Sequence, residues 1–150
     1  MFIGDSIIFY NITRVYFSDY KPLNLSIQQD QKFLFMSMSR IGTIDFSGHS
    51  GHIYTFNVYP LKHDFSKEKG AVYVITKRVV KHDGTVEHNL LFIGTIDNIS
   101  NLQDAHKKSD CLSREGANCI CTYWEDNPAT RVSINDDLIH HYHPPCNYED

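Results

Sequence analysis

Four residues near the carboxyl end, His140, His141, His143 and Cys146 in "HHYHPPC", are ligand types that zinc takes. Neighbouring histidines on a helix point about 100° apart, and no second spaced pair accompanies them. A histidine cluster closing a helix is therefore expected, with no metal knuckle. The cysteines Cys111, Cys119, Cys121 and Cys146 all lie beyond residue 110. Cys119 and Cys121, two apart, suit neither a CxxC knuckle nor an obvious bridge, so the expectation is reduced thiols packed as small hydrophobes. A thiol nucleophile would set Cys111 or Cys146 beside His106 or His143, and nothing in the spacing supports that pairing. The stretch shaped most like the approach to an active site is "LFIGTIDNISNLQDAH", residues 91 to 106. It reads as an apolar strand, a glycine turn, an Asn-rich helix start and a half-polar helix ending at His106, yet it holds no arginine, lysine or glutamate.

The elements that would position these residues follow from pattern. In "DFSGHSGHIYTFNVYPL" two glycines make a tight turn, and Ile53, Thr55 and Asn57 then alternate with Tyr54, Phe56 and Val58 as a half-buried strand that Pro60 ends. Gly70 opens the strand "AVYVITKRVV", and Asp83-Gly84 turns the chain back into "EHNLLFIG". Asp97 or Asn98 caps a helix with Ile99, Leu102 and Ala105 on one side. "ANCICTYW" is a further strand, and Asn127-Pro128 starts the helix that ends at Pro144-Pro145. The fold class is thus α+β: helices packed on a small antiparallel sheet. Residues 1 to 44, rich in Tyr, Phe, Ile and Val, are expected as a β-rich extension before a domain of residues 45 to 150, able to extend the sheet or supply a dimer edge.

"AVYVI", some twenty residues before "LFIG", followed by "NISNLQDAH" and "RVSINDDLIHHYHPPCN", resembles the GIY-YIG endonuclease superfamily. Ala71-Val72-Tyr73 stands for Gly-Ile-Tyr and Phe92-Ile93-Gly94 for Tyr-Ile-Gly. With "FSGHSGHIYTFNVYPL" and "GANCICTYW", the chain also resembles a branch of small bacterial proteins carrying this domain, over about residues 45 to 147. The resemblance implies phosphodiester cleavage with one divalent metal, usually Mg²⁺. Such chemistry needs an oxygen ligand for the ion, a cation facing the phosphate and a group that orients the attacking water.

Carried over by position, Tyr73 matches the first motif tyrosine, Gly94 the motif glycine, Asn98 the asparagine at the helix start and His106 the helix-end histidine. Gly94 and Asn98 are the implied substrate-side positions. The charged centre is replaced. Phe92 stands for the second tyrosine, Leu102 for the phosphate-facing arginine and Asn135 for the metal-binding glutamate. Leucine and phenylalanine offer neither charge nor hydroxyl, and asparagine brings no negative charge. Asp136 lies about 100° further round its helix than Asn135, and Arg78, Arg131, Lys107 and Lys108 fall outside the matched arginine position.

The resemblance with these losses implies a domain that no longer cleaves and acts as a binding or regulatory protein without a cofactor. The competing reading is an active endonuclease using Mg²⁺ with a rearranged site of Tyr73, His106 and Asp136.

Charge bears on partners. The chain has 150 residues, 14 Lys and Arg, 18 Asp and Glu and a net charge of -4. Residues 111 to 150 hold two basic and seven acidic side chains. That tail disfavours phosphate, so a protein partner or self-association is favoured over nucleic acid, with weak DNA or RNA binding left to a patch of Lys67, Lys69, Lys77, Arg78, Lys81, Lys107 and Lys108. Apolar runs far shorter than the roughly 20 residues of a membrane helix, and a start without the basic head of a secretory signal, make the cytoplasm the expected location.

Overall fold

A computed structural model describes residues 39 to 103 and 109 to 149. Five strands form one antiparallel sheet: β1 (Gly42–Ser47), β2 (Ile53–Pro60), β3 (Ala71–Val80), β4 (Val86–Ile96) and β5 (Cys119–Trp124). Among the described residues two α-helices accompany it, α1 (Asp110–Glu115) and α2 (Pro128–Tyr142). The α+β class is as expected. The chain divides between residues 37 and 38, so the expected boundary at 44 falls inside β1. The β-rich reading of residues 1 to 38 lies outside the described residues.

The sheet order is β1-β2-β5-β3-β4. Two local hairpins, β1 with β2 and β3 with β4, are joined by β5, which pairs with β2 on one side and β3 on the other. β3 is an interior strand, and its first six residues, Ala71 to Thr76, are buried on both faces. That explains a run of apolar residues where a half-exposed strand would alternate. Gly84 takes φ 88°, the left-handed conformation that the turn between β3 and β4 demands. A bulge interrupts this hairpin: Ile75 pairs with Phe92 and Thr76 with Leu90. The extra residue, Leu91, lets Leu91 and Phe92 both join the cluster around Tyr73.

Each face of the sheet has its own core. On the first, Ala71, Tyr73, Ile75 and Ile120 are covered by Phe65, Ile99, Leu102 and the α1 residues Cys111 and Leu112. On the second, Val72, Val74, Ile93, Cys119, Cys121, Phe46, Phe56 and Val58 lie under Ile134 and Leu138 of α2. Asn127 caps α2 by accepting from the amides of Ala129 and Thr130. His143, at φ 47°, ends the helix in the left-handed conformation, and Pro144-Pro145 forbid its continuation.

The chain then crosses from the second face to the first around the outer edge of β4. The Asn147 side chain sits on that edge, accepting from the Ile93 amide at 2.8 Å and donating to its carbonyl at 2.7 Å. One amide side chain thereby supplies what a neighbouring strand would. Cys146 joins the first core and forms a disulfide with Cys111 of α1, with Cα atoms 5.7 Å apart. This corrects the expectation of four reduced thiols, which holds only for Cys119 and Cys121. Among the described residues no helix is long and apolar enough to cross a membrane.

Candidate functional site

The resemblance positions divide between the two faces. Tyr73 and Gly94 are cross-strand partners in the β3–β4 hairpin. Gly94 has to be glycine here, because a Cβ would meet the Phe92 ring at 2.7 Å and the Tyr73 hydroxyl at 2.9 Å. Phe92 stacks on Tyr73 with centroids 5.9 Å apart and planes inclined by 30°. Tyr73 is 5% exposed, and burial pushes its phenol well above the usual tyrosine range. It stays a neutral hydroxyl at any physiological pH.

Leu102 belongs to the same core. It is 2% exposed and packed in one cluster with Tyr73, Ile75, Ile99 and Leu112. Asn98 caps a 3-10 turn over Ile99–Asn101, accepting from the Ser100 amide at 3.0 Å and the Ser100 hydroxyl at 2.7 Å. Its carbonyl oxygen is thus engaged locally. The helical path continues through Leu102 and Gln103. Ala105, His106, Lys107 and Lys108 lie outside the described residues.

Asn135 rides on α2, the helix that packs through Ile134 and Leu138 on the face opposite Tyr73. Its Nδ2 donates to Asp136 Oδ1 at 3.4 Å, while its Oδ1 is buried with no partner among the described residues. Asp136 is exposed, and its carbonyl is bonded to His140 Nδ1 at 2.7 Å. So the structure brings Tyr73, Phe92 and Gly94 together, sets Leu102 in the core on the same face, and places Asn135 and Asp136 on the helix behind the sheet.

Of the cations considered from sequence, Arg131 is engaged elsewhere. Arg131 is 3% exposed: its Nη1 donates to the Glu125 and Asp126 carbonyls at 2.8 and 3.0 Å, and its Nη2 pairs with Asp97. A Cβ at Gly70 would collide with this guanidinium. Arg131 therefore ties the end of β5 to the end of β4 as a structural clamp. Arg78 lies on the α2 face, cross-strand from His88. Burial and the nearby Arg78 charge hold the His88 imidazole below its usual pKa, with Thr76 Oγ1 2.8 Å from its Nδ1. The histidines of "HHYHPPC" do not form a site with Cys146, whose sulfur is in the disulfide. No three His, Cys, Asp or Glu side chains converge as a metal site among the described residues.

No family model, curated protein or solved structure matches the chain.

The structure also contains a polar cluster that the sequence reading did not single out. Asp137 of α2 accepts from the Ser50 amide and the Ser50 hydroxyl, both at 2.7 Å, and from the Tyr54 hydroxyl at 2.9 Å. Burial alone would raise this carboxyl, but the Ser50 and Tyr54 bonds and the nearby His49 outweigh it and hold Asp137 below the usual range. Burial, helped by Asp137, pushes Tyr54 up to about 12. A Cβ at Gly48 would run into the carboxylate. "SGHSG" is thus the turn that docks the β1–β2 hairpin onto α2. Its one legible signal was a glycine before and after two polar residues, which says turn but not target.

Proposed function

We propose that the chain is a GIY-YIG-like domain that has lost phosphodiester cleavage and acts as a binding or regulatory protein, with a protein partner or a second copy favoured over nucleic acid. The observation that carries this reading is Leu102, which is 2% exposed and packed in the same apolar core as Tyr73 where the resemblance calls for a phosphate-facing arginine. A buried leucine supplies neither charge nor a hydrogen bond, and the core around it is apolar. The cross-strand pairing of Tyr73 with Gly94, the stacking of Phe92 on Tyr73 and the Asn98 cap support the resemblance itself. The acidic residues after 110 support a protein partner over phosphate.

The location expected from sequence, the cytoplasm, goes with this reading provided that Cys111–Cys146 persists there. Both cysteines are only 7% exposed, which protects them from attacking thiols.

The test is incubation of the purified protein with supercoiled plasmid in Mg²⁺ or Mn²⁺. The DNA should remain intact. Cleavage that disappears in both Tyr73→Phe and Asp136→Ala would overturn the proposal and establish the endonuclease with a rearranged site. Retention on DNA that falls steeply with salt, without a stable protein partner, would move the function to nucleic-acid binding.

A further inference from the structure

We infer that the Tyr73 face carries a binding pocket for a short aliphatic carboxylate, with its hydrocarbon chain between Leu61 and Ala117 and its charged end at Lys62. The pocket goes beyond the proposed function and does not rest on it, since it would stand even if the chain cleaved phosphodiesters.

A cavity of about 200 Å³ lies between the start of the β2–β3 connector, the 3-10 turn after β4, α1 and the approach to β5. Its walls are Leu61 and Ala117, both half-buried, and Leu102 and Leu112 of the first core close its base. It reaches the surface between Lys62, Gln103 and Ser113, all exposed, so entry needs no rearrangement of the connector. A dry cavity of about 150 Å³ holds a benzene-sized molecule, so this one has room for an aliphatic chain of about six carbons.

The mouth is cationic and rich in donors. Among the described residues Lys62 is the one charged side chain that lines the cavity, and its ammonium has neither an ion-pair nor a hydrogen-bond partner among them. Ser109 Oγ accepts from the Leu112 amide at 3.3 Å, which leaves its proton to donate, and Ser113 lies one turn further along the same side of α1. The backbone that carries Lys62 is pinned on both sides. The Leu61 amide donates to the Asn118 carbonyl at 3.0 Å, and Gln103 Nε2 donates to the Leu61 and His63 carbonyls at 3.0 and 3.1 Å. One amide side chain thus fixes the point on the rim from which the lysine stem leaves.

These two halves together select the ligand. Apolar walls favour a hydrocarbon chain, with a gain of about threefold in affinity for each methylene buried. A lone cation beside hydroxyl donors favours a single negative charge and repels an amine.

The experiment titrates the full chain, followed by amide NMR, with acetate, butyrate, hexanoate and 1-hexanol. Affinity should rise along the three carboxylates, and hexanoate should bind about tenfold more tightly than 1-hexanol, with the largest shifts at Lys62, Ser113 and Ala117. Lys62→Gln should bring hexanoate down to the level of 1-hexanol and leave Tm unchanged, because this exposed side chain has no partner to lose among the described residues. Ala117→Leu, which fills the cavity, should abolish binding of both. If that variant does not fold, Ser113→Leu at the exposed mouth takes its place. No saturable binding of hexanoate by the wild type, 1-hexanol binding as tightly as hexanoate, shifts centred elsewhere, or a preference that survives Lys62→Gln would overturn the inference.

Discussion

Leu102 is the residue on which the loss of a phosphate-binding centre turns, and its burial makes reversal costly. Leu102→Arg would place an unpaired guanidinium among Tyr73, Ile99 and Leu112. It should cost about 3 kcal/mol or more in urea unfolding and leave plasmid uncut. Asp137 is the residue where pH enters. Its carboxyl is held below the usual range in the fold, so it stabilises the native state while ionised. That contribution is complete above the unfolded carboxyl pKa of about 4 and disappears as pH falls through the depressed native value. Asp137→Asn should therefore lower Tm at neutral pH and flatten the loss of Tm as pH falls below about 4. A variant whose acid profile overlays the wild type would rule this out. At this scale the sequence was partly legible. Tyr73 and Gly94 could be placed on the two strands of one hairpin from the Asp83-Gly84 turn, but not in register, because the bulge at Leu91 shifts the pairing by one residue. Asp137 and Ser50, 87 positions apart, could not be brought together, because their meeting depends on how a helix crosses a sheet.

At the scale of elements, the segment after α2 acts as a strap around β4. Asn147 holds the Ile93 amide and carbonyl, and the disulfide anchors the preceding residue to α1. Asn147→Ala should speed hydrogen exchange at the Ile93 amide while leaving the β1–β2 hairpin unchanged. The Cys111–Cys146 link closes a span of 35 residues, for which the chain-entropy estimate is about 4 kcal/mol of stabilisation. Cys111→Ser should lower stability by up to that amount, read as a shifted urea midpoint. Most elements could be read from the chain. The strands from Ile53, Ala71 and Cys119 and the helix after Asn127 follow directly from alternation, turn residues and caps. The disulfide could not, since cysteine pairing is spatial and the strap's path around the sheet edge leaves no periodic trace. The short helix α1, capped by Ser109, has too few residues for an apolar period to announce it.

For the whole molecule the redox state is directly countable. Denatured without reductant, the protein should expose two reactive thiols, Cys119 and Cys121, and four after reduction. Four in both conditions would show that the bridge does not form. In the native state even those two should react slowly, since burial raises both thiols and takes Cys121 up to about 12.

The position of β5 has a consequence for how the chain reaches this state. Both hairpins are sequence-local and can form early, but the strand that unites them is made last and must insert between two finished partners. Until residue 124 is in place, β2 and β3 each present an unpaired, β-branched edge to the surroundings. The hazard of misassembly is concentrated in that interval, and β5 works as a late keystone: a substitution that slows its insertion would reduce the yield of folded protein while leaving the finished molecule as stable as before.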